Sequence, residues 1–277
     1  MRFRVVEIEV RQALTKSGLP DLDYALNPYL GCGHGCLYCY AKIYTRLSEV
    51  VANWGKIIAV KKNLLDILTN EVERLKRGTV GIGTITDPYQ PIEAIYRLTR
   101  SSIDILARNG FKVSIQTKNS LVVRDIDILK KYRDAVDVGL TITSADDSMM
   151  HTFEPYSSPP SARIKALKKL SESGIRTWIF YGPVIPGYND DIEEVAKIIK
   201  LARETKSLLY IDKLRVKRFM WLDPFLKSIA SRSIKYDWYR FYSSVYSLCR
   251  DMEVVCRSGF EPDKEQHNKR LDNYLVK

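Results

Sequence analysis

The sequence predicts an α/β fold in which repeated strand–helix units form a parallel sheet. Short runs rich in β-branched residues alternate with longer segments whose apolar side chains recur at helical spacing. Turn-forming residues separate these runs, as at Gly78, Asp87-Pro88 and Gly110. This alternation is typical of βαβ units, whose strands run parallel.

The first predicted strand, residues 23–30, leads directly into a cysteine-rich loop. Further strands are predicted at 79–84, 111–117, 136–143, 175–181 and 208–211. Helices are predicted at 40–53, 64–77, 97–109, 125–133, 161–173 and 192–204. Five or six strand–helix units are present, and the pattern by itself indicates an α/β sheet without fixing its shape.

The two ends of the chain depart from this alternation. Residues 1–22 predict one strand and then a loop, in which Lys16-Ser17-Gly18-Leu19-Pro20 breaks any regular element. Residues 213–277 are rich in Lys, Arg, Trp and Tyr and predict two helices, at 222–231 and 236–251, with no further strand–helix unit. The chain therefore divides into an N-terminal extension (1–22), a core (23–212) and a helical, basic and aromatic C-terminal cap (213–277).

The composition is that of a globular protein with a basic excess. The 277 residues are 45% hydrophobic and 28% charged, with a formal net charge of +11. Such an excess attracts polyanions and makes a nucleic acid a candidate partner, although Lys and Arg also solvate helix faces. No apolar stretch is long enough to span a bilayer and the first residues do not resemble a signal peptide, so we expect a cytoplasmic protein without a membrane partner.

The stretch Asn27–Tyr40 reads NPYLGCGHGCLYCY and sets Cys32, Cys36 and Cys39 in C-x3-C-x2-C spacing. The interspersed glycines permit the tight backbone that three converging thiolates need. Three thiolates select zinc, copper(I) or an iron–sulfur cluster over hard cations. A cubane cluster normally takes a fourth cysteine, and none is local here, which predicts an open coordination position.

A structural zinc site is the alternative, because His34 would complete a Cys3His ligand set with the three cysteines. Zinc ligands usually come from two separated pairs, whereas these four residues lie within eight positions. We therefore interpret His34 as a hydrogen-bonded loop residue and not as a ligand.

The remaining cysteines, Cys249 and Cys256, lie near the C-terminus. Cys249 shares a helical face with large apolar residues, which predicts a core position, and a hydrogen-donating or ligating role is the alternative. Five cysteines with three clustered indicate a metal site in a reducing compartment and not a disulfide framework. Tyr239, Tyr242 and Tyr246 follow the same helix and favour packing, with base stacking as the alternative.

The cysteine run, with an aromatic residue before its third cysteine, resembles the signature of the radical S-adenosylmethionine (radical SAM) superfamily. The wider pattern NPYxGCxHGCxYCYA is similar to the branch that contains spore photoproduct lyase and the DNA repair photolyase-like proteins. Later stretches agree with this branch, in order GTITDPYQPIE (83–93), TKNSLVVRDIDIL (117–129), FEP (153–155) and PVIPGYND (183–190). The resemblance covers roughly the first two-thirds of the chain.

This resemblance implies a TIM-like partial (β/α)6 barrel with its active site at the carboxyl ends of the strands. It implies that Cys32, Cys36 and Cys39 bind three irons of a [4Fe-4S] cluster, while the amino and carboxylate groups of S-adenosylmethionine chelate the fourth. Reductive cleavage of that cofactor would give a 5′-deoxyadenosyl radical, which takes hydrogen from a substrate. The electron would come from an external donor such as a ferredoxin or flavodoxin.

The resemblance also assigns side chains to S-adenosylmethionine. Residues after the second strand would bind its amino group, namely Thr84, Thr86 and Asp87, although Asp87-Pro88 is equally typical of a simple turn. Its carboxylate and ribose would meet Lys118, Thr141, Thr143, Ser144 and Arg163, with a solvated helix position as the alternative for Arg163. Tyr38 and the backbone of 183–187 would border the adenine.

The charge and the branch together predict a nucleic acid or nucleotide as the substrate of a repair or modification reaction. The alternatives are a radical SAM enzyme acting on a peptide or small metabolite, and a non-enzymatic zinc-stabilised nucleic-acid-binding protein. One departure concerns the hydrogen donor. Spore photoproduct lyase uses a cysteine at the end of its second strand, whereas GTITD carries none here and no cysteine lies between residues 40 and 248.

Overall fold

The fold of residues 3–259, the part of the chain that this computed structural model describes, contains two β-sheets and ten α-helices. The strands are β1 (Arg4–Ile8), β2 (Leu14–Lys16), β3 (Tyr24–Leu26), β4 (Tyr29–Leu30), β5 (Ile57–Lys61), β6 (Thr79–Ile82), β7 (Lys112–Thr117), β8 (Val136–Thr141), β9 (Arg176–Val184), β10 (Leu208–Lys213) and β11 (Cys256–Ser258). The helices are α1 (Ser48–Ala52), α2 (Leu64–Arg74), α3 (Glu93–Tyr96), α4 (Leu98–Arg108), α5 (Ile126–Lys131), α6 (Asp147–Phe153), α7 (Pro160–Glu172), α8 (Ile192–Glu204), α9 (Pro224–Lys235) and α10 (Trp238–Asp251). Short 3₁₀ helices cover Tyr40–Ile43, Ser120–Asp125 and Arg218–Leu222.

The main sheet has the strand order β11-β10-β9-β8-β7-β6-β3-β2. All of its neighbouring pairs are parallel except β2–β3 at one edge. The six strands β3, β6, β7, β8, β9 and β10 follow one another in chain order with helical crossovers between them, which is the arrangement of a partial (β/α)6 barrel. The predicted α/β fold is therefore confirmed.

The outer face of the main sheet packs against the helices. In β7, for example, Val113 and Ile115 are buried while Ser114 and Gln116 between them are partly exposed. The buried strand residues join helix residues such as Leu106 of α4 in one apolar core. Full burial of each such side chain contributes about 1.5–3 kcal/mol, so the alternation along the strands fixes which face meets the helices.

The inner face of the sheet carries polar and aromatic side chains. Ser114 Oγ and Trp178 Nε1 donate hydrogen bonds of 2.7 and 2.8 Å to Asp137 Oδ1. Nearer the carboxyl ends of the strands, Gln116 Nε2 donates to Thr141 Oγ1 over 3.1 Å. The concave side of the barrel is therefore polar, and these side chains bond one another.

The predicted first strand at 23–30 is divided in the structure. β3 joins the main sheet, whereas β4 pairs antiparallel with β5 in a separate three-stranded sheet of order β1-β5-β4. The division falls at Asn27-Pro28, where proline has no N–H to continue a strand ladder. β4 consequently leaves the barrel and carries the cysteine loop across its carboxyl edge.

The C-terminal region contains the two predicted helices, α9 and α10, and a strand that was not predicted. β11 pairs with β10 because α10 returns the chain to the amino edge of the sheet, where Cys256 lies opposite Leu209. The part of the predicted cap at 260–277 lies outside the described residues. Within residues 3–259, no helix combines the length and apolar character that crossing a membrane requires.

The two C-terminal cysteines correct the prediction that the chain has no disulfide, because Cys249 and Cys256 are bonded to each other. Cys249 is buried in the main core, as predicted. The bond lies at the amino edge of the sheet, opposite the cysteine loop, so neither sulfur is placed as a ligand or hydrogen donor there. Tyr242 stacks on Tyr246 with ring centroids 5.9 Å apart, which supports packing over base stacking on α10.

Candidate functional site

The cysteine loop, residues 31–39, crosses the carboxyl edge of the main sheet between β4 and the 3₁₀ helix at Tyr40. Its backbone requires glycine at Gly31, where φ is +79° and a Cβ would lie 2.5 Å from Val50 Cγ1 and 2.9 Å from Ile57 O. A Cβ at Gly35 would lie 3.0 Å from the ring of Tyr156. The loop is therefore folded tightly between the smaller sheet and the segment that follows α6.

The loop presents three free thiols, of which Cys32 and Cys36 are buried and Cys39 is partly exposed. Burial, followed by the nearby charge of Glu154, raises the pKa of Cys36 well above its usual range. Burial and the neighbouring Cys32 raise the pKa of Cys39 to about 11. Thiols held in this way become thiolates when a metal binds, and a set of three suits a soft metal centre.

The loop does not present a preformed site for a single metal ion. Among the described residues, no three His, Cys, Asp or Glu side chains are grouped so that they could hold one ion. Cysteine ligands of a cluster each bond a different iron, so thiols that do not meet at one point still fit an iron–sulfur cluster. The donor set therefore fits the predicted cluster.

His34 is hydrogen-bonded within the protein, as predicted. Its Nε2 lies 3.2 Å from Asn119 Nδ2, and its Nδ1 lies 3.4 Å from Asp87 Oδ2, within ion-pair distance but without hydrogen-bond geometry. Burial opposes protonation of His34, but the charges of Asp87 and Cys32 prevail and raise its pKa to about 10. The ring connects the cysteine loop to the segments that follow β6 and β7.

Asp87 connects the cysteine loop to the ends of β6 and β7. Its Oδ1 accepts hydrogen bonds from Thr117 Oγ1 at 2.7 Å and Tyr89 N at 2.9 Å, and its Oδ2 accepts from Lys118 N at 2.7 Å. Burial favours the neutral acid, but the charge of His34 and these bonds lower the pKa of Asp87 to about 2. Both carboxylate oxygens have protein partners, so the predicted contact with the amino group of S-adenosylmethionine stays a prediction.

Thr86 and Gln90 hold the start of the cysteine loop. Thr86 Oγ1 donates to Gly31 O over 2.6 Å, and Gln90 Nε2 donates to the same carbonyl over 3.3 Å. Gln90 Oε1 accepts from Gly33 N at 2.7 Å. The first half of the loop is therefore fixed by two side chains of the segment 86–90 that follows β6.

A buried ion pair holds the other side of the loop. Arg163 Nη2 bonds Glu154 Oε2, and the same guanidinium donates to Ser158 O at 2.7 Å and Thr141 O at 3.0 Å. Tyr38, between two of the cysteines, donates its hydroxyl to Glu154 Oε1. Burial is offset mainly by the charge of Arg163, which lowers the pKa of Glu154. Arg163 pairs with a carboxylate of the protein itself, and the alternative of a solvated helix position is wrong.

Lys118 faces the thiols with an ammonium group that has no carboxylate partner within residues 3–259. Its Nζ lies 5.9 Å from the centroid of the Tyr38 ring. Its charge favours the ionised forms of Cys36, Cys39 and Glu154 and lowers their pKa values against the effect of burial. Lys118 is therefore available for an anionic ligand at the carboxyl edge of the barrel.

The predicted hydroxyl groups all have partners within the protein. These pairs are Thr84 with Asn27, Thr141 with Gln116, Thr143 with Glu154, and Ser144 with Glu194. Ser144 bonds a residue of α8, away from the cysteine loop. The structure therefore brings Tyr38, Thr86, Asp87, Lys118 and Arg163 to the loop and leaves Ser144 outside this group.

Four polar side chains of the site were not predicted. Asn27, Gln90 and Asn189 bond the predicted residues Thr84, Thr86 and Thr143, and Asn119 follows the predicted Lys118 in the chain. Asn189, for example, donates to Thr143 O at 2.7 Å and accepts from Ile185 N at 2.5 Å. Asn189 thereby occupies the N–H of Ile185, which belongs to the segment 183–187 that was predicted to border the adenine. The signal was present, because Asn and Gln near Gly or Pro turns often bond the backbone locally.

Comparison with known sequences places these features in a family. The profile of the Radical SAM superfamily matches residues 26–201, which include all three cysteines of the loop. An uncharacterised protein of Methanocaldococcus jannaschii is 32% identical over 216 residues, 78% of this chain and 80% of its own length. A radical SAM Nalpha-GlyT isomerase of Pseudomonas phage M6 is 26% identical over 174 residues, 61% of this chain and 35% of its own length.

Solved structures share the fold. Spore photoproduct lyase complexed with dinucleoside spore photoproduct aligns with a TM-score of 0.67 at 15% identity, over 92% of this chain and 81% of that one. A radical SAM methyltransferase from Sphaerobacter thermophilus aligns with a TM-score of 0.56 at 17% identity, over 88% of this chain and 67% of that one. The lyase-like fold that the motifs predicted is confirmed.

The match to the Radical SAM profile covers more than half of the chain, and it implies that the protein is an enzyme. S-adenosylmethionine and an iron–sulfur cluster are the cofactors that this match implies, and the non-enzymatic zinc-binding alternative is wrong. With three free thiols on a tight loop at the carboxyl edge of a partial barrel, the chain belongs to the radical SAM superfamily.

Proposed function

We propose that this protein binds a [4Fe-4S] cluster through Cys32, Cys36 and Cys39, cleaves S-adenosylmethionine reductively and takes a hydrogen atom from a nucleic acid or nucleotide. When bound, the cluster and S-adenosylmethionine supply a 5′-deoxyadenosyl radical. The cysteine loop carries the proposal, because it gathers three free thiols and has no fourth. The other two cysteines of the chain are bonded to each other at the opposite edge of the sheet.

The residues around the loop would bind and orient the cofactor. Lys118 offers a charge for the carboxylate of S-adenosylmethionine, since its ammonium faces the thiols without a carboxylate partner within the described range. Backbone carbonyls of the segment 84–87 would accept from the amino group, because the side chains of Thr86 and Asp87 are already engaged. Tyr38 and the segment 183–187 remain the candidates for the adenine.

Apolar packing would keep water away from the reaction. Cys36 and Tyr38 lie in one buried cluster with Phe153, Met220 and Leu226, the last two from the C-terminal region. Exclusion of water matters in this chemistry because a carbon radical reacts with whatever hydrogen donor it meets. This packing supports the proposed role of the C-terminal region as a cap over the cysteine loop.

Three observations support a nucleic acid or nucleotide as the substrate. The net charge of +11 favours a polyanion. The inner face of the barrel offers a side-chain amide at Gln116 and an indole ring at Trp178. Spore photoproduct lyase, whose fold this chain shares, has been crystallised with a dinucleoside photoproduct. We propose a repair or modification reaction in the cytoplasm.

The first experiment tests cofactor cleavage. Protein reconstituted with iron and sulfide without oxygen is reduced with dithionite in the presence of S-adenosylmethionine, and 5′-deoxyadenosine is measured by chromatography. We expect this product from the wild type and from Lys130→Met, which changes an exposed lysine of α5. Lys118→Met should keep its iron but bind S-adenosylmethionine at least about tenfold more weakly, because a charge-assisted contact is lost. Unchanged binding by Lys118→Met would refute the assignment of Lys118.

The second experiment tests the substrate class. Oligonucleotides with deuterated sugars or thymine methyl groups are incubated with the enzyme, and deuterium in 5′-deoxyadenosine is measured by mass spectrometry. We expect deuterium transfer, together with an affinity for oligonucleotides that falls steeply as salt is raised. Transfer from a peptide or metabolite fraction alone, with weak binding of oligonucleotides that salt does not affect, would favour the alternative substrate.

A further inference from the structure

Lys42 is a partly buried lysine that lies three positions after the last cysteine of the loop. Its Nζ donates a hydrogen bond of 3.2 Å to the carbonyl oxygen of Leu37, which lies between Cys36 and Cys39. Within residues 3–259, no carboxylate lies at ion-pair distance from this ammonium group. Partial burial of a charge is costly without a partner, so other groups must stabilise the ammonium in this position.

The aromatic ring of Phe219, in the C-terminal region, contacts the same ammonium group. The Nζ of Lys42 lies 4.8 Å from the centroid of this ring, which is a cation–π distance. Phe219 and Leu37 both pack against the buried cluster that contains Cys36 and Tyr38. Two contacts of the protein itself therefore hold Lys42 between the cysteine loop and the C-terminal region.

The charge of Lys42 acts on two of the three thiols. Burial lowers its pKa, whereas the negative charges of Cys39, Cys36 and Asp223, in that order, favour the ammonium form. Asp223 is already engaged, since it caps α9 by accepting from Leu226 N at 2.9 Å. The effect is mutual, because the charge of Lys42 favours the thiolate of Cys39. The strongest favourable charges around this ammonium group therefore come from sulfurs and not from a carboxylate.

Lys118 also faces the thiols, but a ligand would balance its charge. It is assigned to the carboxylate of S-adenosylmethionine, which would neutralise it when the cofactor binds. Lys42 keeps its charge beside the loop, because a carbonyl oxygen and an aromatic ring carry no net charge. Charges and hydrogen bonds around an iron–sulfur cluster set its reduction potential. A fixed positive charge favours the more negative state of such a centre.

We propose that Lys42 positions the segment between Cys36 and Cys39 and makes the metal centre easier to reduce. The inference rests on the proposed function, in which these cysteines bind a [4Fe-4S] cluster. On reduction the cluster accepts one electron from the reductant, which is oxidised, and no atom is transferred. The cluster gains one negative charge, so the ammonium group beside the loop stabilises the reduced state more than the oxidised state. The bond to Leu37 O keeps that charge in place.

The first measurement is a redox titration of the reconstituted cluster with dithionite, without S-adenosylmethionine, followed by electron paramagnetic resonance of the reduced state. Lys42→Met removes the charge and the donor, whereas Lys42→Gln removes the charge and retains a donor. At one fixed potential, both should lower the ratio of reduced to oxidised cluster at least about threefold. Lys42→Arg keeps the charge and Lys130→Met removes an exposed charge on α5, so both should match the wild type.

The second measurement requires no metal. Hydrogen exchange of the backbone amides in the peptide 31–39 is followed by mass spectrometry in the full-length protein before reconstitution. Lys42→Met should exchange at least about threefold faster than the wild type, because the carbonyl of Leu37 loses its donor. Lys130→Met should exchange at the rate of the wild type. The peptide 208–213 of β10 should be unchanged in every variant and serves as the internal control.

A purely structural role of Lys42 would alter loop exchange and leave the potential unchanged. A wild-type ratio of reduced to oxidised cluster in Lys42→Met and Lys42→Gln would therefore overturn the proposal, and so would an equal shift in Lys42→Arg. If the neutral variants cannot be reconstituted, loop exchange decides. Faster exchange in Lys42→Met would then support the positioning role, and exchange equal to that of the wild type would overturn it.

Failure of the proposed function would be recognised separately. A cluster whose potential depends on Lys42 but which yields no 5′-deoxyadenosine would refute cofactor cleavage and leave the inference standing. A wild-type protein that takes up no iron would refute the ligand assignment and, with it, the effect on reduction. The exchange measurement would still test whether Lys42 positions the loop.

Discussion

The two edges of the main sheet use cysteine in opposite ways. At the carboxyl edge, Cys32, Cys36 and Cys39 remain free thiols on a loop that buried charged residues hold in place. At the amino edge, Cys249 and Cys256 form a disulfide between α10 and β11 in apolar surroundings. Polar contacts thus accompany free thiols at one edge, whereas apolar packing accompanies a structural disulfide at the other.

Buried charged side chains at the carboxyl edge determine the geometry of the cysteine loop. Removing the charges of Asp87, Glu154 and Arg163 from water is costly unless each finds its partners. Those partners come from different elements, because Asp87 bonds the end of β7 and Glu154 bonds both α7 and Tyr38 in the loop. Asp87 therefore holds the cysteine loop from one side, and the Glu154–Arg163 pair holds it from the other. Moving either group would leave a buried charge without its partners.

The largest expected effect comes from removing one sulfur at the carboxyl edge. Cys36→Ala should abolish iron binding, because a cluster held by three thiolates does not remain stable on two. The barrel should stay folded, since alanine is apolar and Cys36 packs in a small cluster apart from the main core. Iron and sulfide analysis of anaerobically reconstituted protein, with circular dichroism for the fold, measures both outcomes.

Cys256→Ser is the matched control at the amino edge, and it should bind as much iron as the wild type. Full iron content in Cys36→Ala would contradict the ligand assignment. Loss of iron in Cys256→Ser would contradict the separation of the two edges.

The next largest effect concerns the buried ion pair. Glu154→Ala leaves the Arg163 guanidinium buried without a counter-charge, so we expect the free energy of unfolding to fall by about 3–5 kcal/mol. Urea denaturation measures this change. Glu204→Ala, which breaks an exposed pair with Lys168, should change stability little. Equal effects of the two substitutions would show that the Glu154 pair is not essential to the carboxyl edge.

Local patterns made much of the fold and the metal-binding residues predictable. The helix predicted at 192–204 is observed as Ile192–Glu204, because its apolar period and its Asp191 cap lie within one stretch of sequence. The three cysteines of the loop were equally easy to identify from the sequence, since their spacing is local. The prediction of α8 and of the cysteine loop therefore succeeded because each depends only on residues that are close in sequence.

Contacts between distant residues set the limit of prediction. Tyr38 and Glu154 are separated by 116 positions, so no spacing rule joins them, and the buried role of Arg163 followed only from the structure. β11 was missed because three residues show no period and become a strand only by pairing with β10. The disulfide was missed for the same reason, since composition indicates the compartment and not which sulfurs meet.

A smaller effect is expected from opening the disulfide at the amino edge. Cys256→Ser removes a cross-link between residues seven positions apart, so stability should fall by about 2–3 kcal/mol. Thermal unfolding of the variant and of the wild type, with and without a thiol reductant, measures this difference. The reductant should lower the midpoint of the wild type alone. If it lowers both midpoints equally, the bond does not stabilise this edge.

The smallest effect tests one hydrogen bond at the carboxyl edge. Thr86→Val keeps the shape of the side chain but removes the 2.6 Å bond to Gly31 O, which then retains only the 3.3 Å contact from Gln90. We expect a loss of about 1 kcal/mol in stability, and faster removal of iron by a chelator because the loop start is held less firmly. Thr69→Val removes an exposed bond within α2 and should leave iron release unchanged. Equal rates of iron release in Thr86→Val and Thr69→Val would contradict this role of the Thr86–Gly31 bond. The loop would then be held by its buried charged groups, Asp87 and the Glu154–Arg163 pair.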